Sequence, residues 1–216
     1  MENWEEESII ISTDITNLVT NEISVKTLDL AIDYSELALD EFLKDGILKE
    51  IPFVKSIVSF YNIGNSVIDR HKSKKILTFF KEFHSSEIEF EKLEKFKQKF
   101  SKNIDYQNQV VETIILLNER FLQTEKSKIL AKLIISHIEE KISWNELTDL
   151  SIVLDNIHPK GFLFLDKMAK ESNFAKKERE QVGEALMIAC GIGNRHGTLF
   201  MINELGMKFY ENCLKN

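Results

Sequence analysis

The chain has 216 residues, 43% apolar and 29% charged, with a formal net charge of −7, a balance that excludes the disordered and collagen-like classes. Its two cysteines, Cys190 and Cys213, cannot make a disulfide framework, and the opening Met1-Glu2-Asn3-Trp4-Glu5-Glu6-Glu7 does not read as a signal peptide. A reducing cytoplasm is therefore the expected setting.

Only two prolines and eight glycines interrupt a chain rich in Leu, Ile, Lys and Glu, which predicts long helices rather than a sandwich of short strands. Residues 1–22 alternate poorly around Ile9-Ile10-Ile11 and read as an irregular arm or a short strand. From Ser24, Leu28, Ala31, Ile32, Leu37, Leu39 and Phe42 fall on helical spacing, and Asp45-Gly46 supplies a stop. Pro52 suits the first turn of a second helix, where its missing N–H would have no partner. Phe53, Ile57, Phe60, Gly64, Val67 and Ile68 then form one expected buried face, continued by Ile76, Phe79, Phe80 and Phe83 one helix later.

Ser86 and Glu89 match a capping box before a segment with phenylalanines at 90, 96 and 100. Two periodic stretches follow, Tyr106–Leu122 and Lys126–Ile142, and their short polar link predicts antiparallel neighbours. Ser143 and Glu146 form a second capping box, with Ile142 and Leu147 as its hydrophobic staple, so a helix is predicted from Trp144 to Ile157. Beyond His158-Pro159-Lys160-Gly161, helices are expected over Phe162–Glu171 and Ala175–Ala189. A β-hairpin around Gly-Asn-Arg-His-Gly and a helix over Asn203–Asn212 complete the chain.

The expected fold is thus mostly α: a multi-helix bundle with a small C-terminal β-hairpin, winged-helix-like in its order of elements. Three segments are read: an acidic N-terminal arm and first helix (1–46), a helical bundle (47–157) and a C-terminal winged-helix-like subdomain (158–216). The first carries 12 acidic and 2 basic side chains, and residues 47–102 carry 7 and 12. Exposed pairs between such segments contribute little each, about 0–1 kcal/mol.

Motifs for common chemistries are missing from the sequence. It contains no Walker loop, no G-x-S-x-G elbow, no H-E-x-x-H and no C-x-x-C, and Gly191, Gly193 and Gly197 are misplaced for a dinucleotide loop and read as a hairpin turn. The five histidines are scattered, so Asp155 with His158 reads as a helix end rather than a metal site. No cofactor, metal or catalytic residue is expected, and the protein is read as non-enzymatic.

Two cationic groups remain as candidate surfaces. Arg70, Lys72, Lys74 and Lys75 follow the apolar run and form a candidate polyanion or partner surface. Lys176, Lys177 and Arg179, with Arg195 in the hairpin, form a candidate recognition helix and wing for nucleic acid. A membrane span is disfavoured, because Lys55, Ser56, Ser59, Asn62, Asn65 and Ser66 punctuate the only candidate and a span needs about 20 apolar residues. A flat amphipathic contact by residues 47–70 is the membrane alternative. A protein partner is the leading expectation and nucleic acid the second; nothing in the pattern sets an oligomeric state.

The stretches "IPFVKSIVSFYNIGNSVIDRHKSKKILTFFKEF", "KSKILAKLIISHIEEKISWNELTDLSIVLDNIH" and "LFMINELGMKFYENCL" resemble an uncharacterised group of small bacterial and prophage-borne helical proteins. The shared features are an Ile-Pro-x-x-Lys-x-Ile helix, a Lys-Lys-Ile-x-x-Phe step and a terminal hairpin and helix, over about residues 45–216. The resemblance implies a role in phage–host conflict and brings no activity or catalytic residue with it.

Overall fold

The computed structural model describes residues 15–25, 52–61 and 66–215. The helix expected beyond Ser24, the arm before Ile15, and Gly64 lie outside the described residues. Within them the protein is mostly α-helical with one small antiparallel sheet near its C-terminus. The chain forms two compact units, residues 1–131 and 132–216, so the helix at Trp144 falls in the unit that holds the sheet.

In the first unit, residues 15–24 form helix α1 where an arm or strand is expected. Ile15, Val19, Glu22 and Ile23 recur at helical spacing and are all buried, so one packed face overrides a weak local pattern. Helices α2 (Pro52–Phe60) and α3 (Val67–Ser85) follow. Phe53 and Ile57 are buried, but Phe60 is half-buried and Val67 and Ile68 are 71% and 67% exposed. The expected stripe breaks because Ser66 adopts extended backbone and its hydroxyl accepts the Ile68 N–H at 3.1 Å. That cap starts a new helix with its own phase, at a stabilisation of about 1 kcal/mol.

Helix α4 (Phe90–Lys102) begins without the expected capping box. Ser86 instead closes α3, its Oγ donating to Glu82 O at 2.8 Å; Phe96 and Phe100 are buried while Phe90 is exposed. Asn103 caps α5 (Ile104–Arg120) by accepting the Tyr106 N–H at 3.0 Å, and α6 (Thr124–Ile138) follows. Helix α3 packs on α2 and α5, and α4 packs on α5. At the centre, Phe80 meets Phe53 at 4.6 Å and Phe79 at 5.1 Å, both edge-on. Phe79, Phe80 and Phe83 are fully buried, each contributing about 1.5–3 kcal/mol of apolar burial. Against these rings, His84 Nε2 lies 3.0 Å from Glu22 Oε1 with both side chains buried, which ties α1 to α3.

In the second unit, the capping box at Ser143 and Glu146 forms as expected and opens α7 (Trp144–Asn156). Ser143 N–H donates to Glu146 Oε2 at 2.8 Å, and Ile142 and Leu147 are buried beside it. His158 caps α8 (Pro159–Ser172), its Nδ1 accepting the Lys160 N–H at 3.1 Å.

Asn173 and Phe174 both have positive φ (47° and 64°), which ends α8 and redirects the chain. The single helix expected over Ala175–Ala189 is therefore a strand β1 (Ala175–Lys176), a bend, and helix α9 (Gln181–Ala189). Strands β2 (Gly193–His196) and β3 (Leu199–Ile202) form the expected hairpin, and β1 adds to its other side in the order β1-β3-β2. Only α9 stands between β1 and β2, so the paired helices of a helix-turn-helix are not present there. Phe200 and Ile202 face the core while Met201 is exposed, the alternation of a half-buried strand. The chain closes with α10 (Glu204–Phe209) and a π-helical turn, Tyr210–Leu214.

Candidate interaction surface

Helix α9 has an exposed outer face without charge. Its inner face consists of Gly183, Glu184 and Met187. Gly183 is pressed against α8: a Cβ there would lie 2.2 Å from the Phe164 ring. Its outer face carries Gln181, Val182, Ala185, Ile188 and Ala189, all exposed and none charged, with Val182 at 67% and Ile188 at 51%. Outward positions on an ordinary surface helix are polar or charged. Ala185 and Ala189, one turn apart, leave a low strip between the larger side chains. A helical partner can approach closely along such a strip.

The N-terminal end of α9 is organised by two buried or half-buried carboxylates. Glu184 accepts the Glu180 N–H at 2.8 Å and takes both sides of the Arg195 guanidinium, with Nε to Oε2 at 2.7 Å. Arg195 also donates to Thr198 O at 2.7 Å. The arginine holds the Glu184 carboxyl below the usual carboxylate range, helped by the backbone N–H of Glu180. Glu180 Oε2 in turn receives Lys167 and Lys176, each at 2.9 Å, and these two ammonium groups lower its pKa.

The four basic residues read as a recognition helix and wing therefore separate. Lys176 lies on β1, half-buried in the Glu180 cluster, and Arg195 on β2 is committed to Glu184 and Thr198. Lys177 and Arg179 are exposed in the bend before α9, off the helix itself; among the described residues neither makes a hydrogen bond or close ion pair, and Arg179 acts on Glu184 only through its charge. None of the four projects from the outer face of α9.

The other cationic group divides as well. Lys75 is 2% exposed and does not belong to the surface. Its Nζ donates to Glu119 O at 2.9 Å and Phe121 O at 2.6 Å, which closes the C-terminal end of α5; a cation there also meets the negative end of the helix dipole. Burial lowers the Lys75 pKa, against an opposing pull from Glu119. One turn earlier on α3, His71 Nε2 reaches Leu122 O at 2.9 Å. Lys72 sits 4.0 Å from Glu119, and Arg70 and Lys74 are half-buried. The sequence shows a row of cations but not these carbonyl acceptors, which arrive from 44 to 51 residues away.

Two open grooves mark the second unit. One, about 400 Å³, lies between α8 and the π-helical turn and is lined by Phe162, Leu163, Asp166, Lys170, Tyr210 and Leu214. The other, about 390 Å³, lies beside Glu146, Asp149, Glu204 and Lys208, where Lys208 Nζ donates to Glu146 Oε1 at 2.8 Å. Among the described residues, no three His, Cys, Asp or Glu side chains converge as a metal site requires. No described helix is long and apolar enough to cross a membrane. No family model matches the chain, and no curated protein or solved structure is significantly similar to it.

Proposed function

We propose that this chain is a non-enzymatic, cytoplasmic protein-interaction module whose contact surface is the outer face of α9. One observation carries the reading: five exposed positions on α9, Gln181, Val182, Ala185, Ile188 and Ala189, include no charge. Exposed apolar surface of that kind is characteristic of docking sites rather than of solvated helices. Reading a duplex through its major groove calls for arginine, lysine, asparagine or glutamine on the inserted helix, and α9 offers only Gln181 there. The observation therefore favours a protein over nucleic acid. A role in phage–host conflict is part of the proposal and rests on the sequence resemblance alone.

The test is co-purification with mass spectrometry from cells under phage challenge, comparing the natural chain with Val182→Asp and Ile188→Asp. A stoichiometric partner lost in both variants, at unchanged helical circular dichroism, is the expected result. Equal capture by all three chains would overturn the reading.

A second reading, contact with an anionic membrane surface, is favoured by a different observation. Val67 and Ile68 lie one turn before His71, whose ring reaches the carbonyl of Leu122, itself 79% exposed. Exposed apolar side chains near Arg70 are a combination suited to interfacial binding. Flotation with vesicles containing phosphatidylserine, lost on Ile68→Asp, is the outcome that would support it; no flotation would remove it.

A further inference from the structure

Lys177 and Arg179, both exposed and making no hydrogen bond or close ion pair among the described residues, stand at the end of α9 from which its outer face begins; Arg179 acts on Glu184 only through its charge. Around them every other basic group of this region is consumed: Lys167 and Lys176 by Glu180, Arg195 by Glu184. The positive end of the α9 dipole adds to the same side. Glu178 is the one exposed carboxylate in the bend, so the local balance among groups without an ion pair is positive. The docking face is thus graded along its length, cationic at Lys177 and Arg179 and uncharged from Val182 to Ala189.

Resting on the reading of α9 as a docking face, we infer that its partner is an acidic amphipathic helix. The apolar stripe of that helix lies along Val182, Ala185 and Ala189, and its carboxylates meet Lys177 and Arg179. The two alanines favour a helix over a bulkier occupant, because only a low strip lets two helix axes approach closely. Free rim charges select the partner's sign and speed encounter, while the desolvated apolar contacts supply most of the affinity.

The test uses the full chain and two synthetic helical peptides with the same apolar face, one flanked by glutamates and one by lysines, read by fluorescence anisotropy. The acidic peptide is expected to bind about tenfold more tightly than the basic one at low salt. Lys177→Glu with Arg179→Glu should reverse that order, and Val182→Asp should abolish binding of both. Ala185→Glu provides a second face variant, and circular dichroism checks that each chain folds.

If both peptides bind equally and the charge reversal changes nothing while Val182→Asp removes both, the docking face stands and the acidic partner falls. If neither peptide binds, both fall. Concentration-dependent dimerisation in sedimentation, lost on Val182→Asp, would assign the face to a second copy of this chain and overturn the inference. Salt-sensitive retention of duplex DNA or of phosphatidylserine vesicles, lost on charge reversal but untouched by Val182→Asp, would overturn it in favour of a polyanion.

Discussion

The two units fill their interiors differently. Residues 15–131 fill space with rings: Phe53, Phe79, Phe80, Phe83, Phe96 and Phe100 are all buried, and every described glycine lies in the other unit. Residues 132–216 also bury Phe164, Phe200 and Phe209, but seat side chains directly against glycines, where no Cβ stands in the way. A Cβ at Gly161, Gly183, Gly193 or Gly206 would fall 2.9, 2.2, 2.7 or 2.5 Å from its nearest neighbour. Native interiors share one packing density, so a core rich in rings is sensitive to lost volume and a core of close approaches to added volume.

The strongest blow to this contrast is predicted at Phe80, which contacts Phe53, Phe79 and Phe83. Phe80→Ala should cost about 3–5 kcal/mol in denaturant unfolding, with amide exchange accelerated first in α2 and α3. A loss below 1 kcal/mol would mean the cluster is not the core of its unit. Next is Gly183→Ala, where the added methyl meets the rigid, buried Phe164 ring; an overpacking cost of about 1–3 kcal/mol is expected. The same methyl would be nearly free if α8 and α9 could part.

Of similar or smaller size is Lys75→Met, which keeps the stem and removes the ammonium from two carbonyls, at about 1–3 kcal/mol. The smallest of these effects belongs to a cap at a helix start near solvent. Ser143→Ala should cost about 1 kcal/mol through the lost cap.

Glu146 sharpens the last point through acid titration. Lys208 first, then the Ser143 backbone and hydroxyl, hold its carboxyl at about 2, against an ordinary value of 4.5. A carboxyl depressed in the folded state stabilises above its unfolded pKa and loses that contribution as pH falls through the folded one. Stability of the natural chain should therefore drop between about pH 4.5 and 2, and Glu146→Gln should flatten that part of the curve. An unchanged slope would show that the Lys208 bond is not maintained in solution.

Legibility in the sequence follows the distance over which each feature is decided. The box at Ser143 and Glu146 spans three residues and is readable, as are the hairpin and the helices α5 to α8. Strand β1 is not readable: two residues, Ala175 and Lys176, pair with Met201 and Phe200, and nothing local marks them except the turn at Asn173 and Phe174. Helix α1 was open to reading, since Ile15, Val19, Glu22 and Ile23 keep helical spacing, but the isoleucine run before it blurs the pattern. The outer face of α9 is equally periodic in sequence; periodicity says which residues share a face, and only packing says whether that face is covered.

Lys75 has a genetic consequence. Both of its acceptors are main-chain oxygens, which every residue type at positions 119 and 121 would present alike. A suppressor screen begun from a damaged position 75 should therefore recover reversions and distant general stabilisers, and no allele-specific compensation at 119 or 121. This tie between α3 and α5 is written in the genome on one side only.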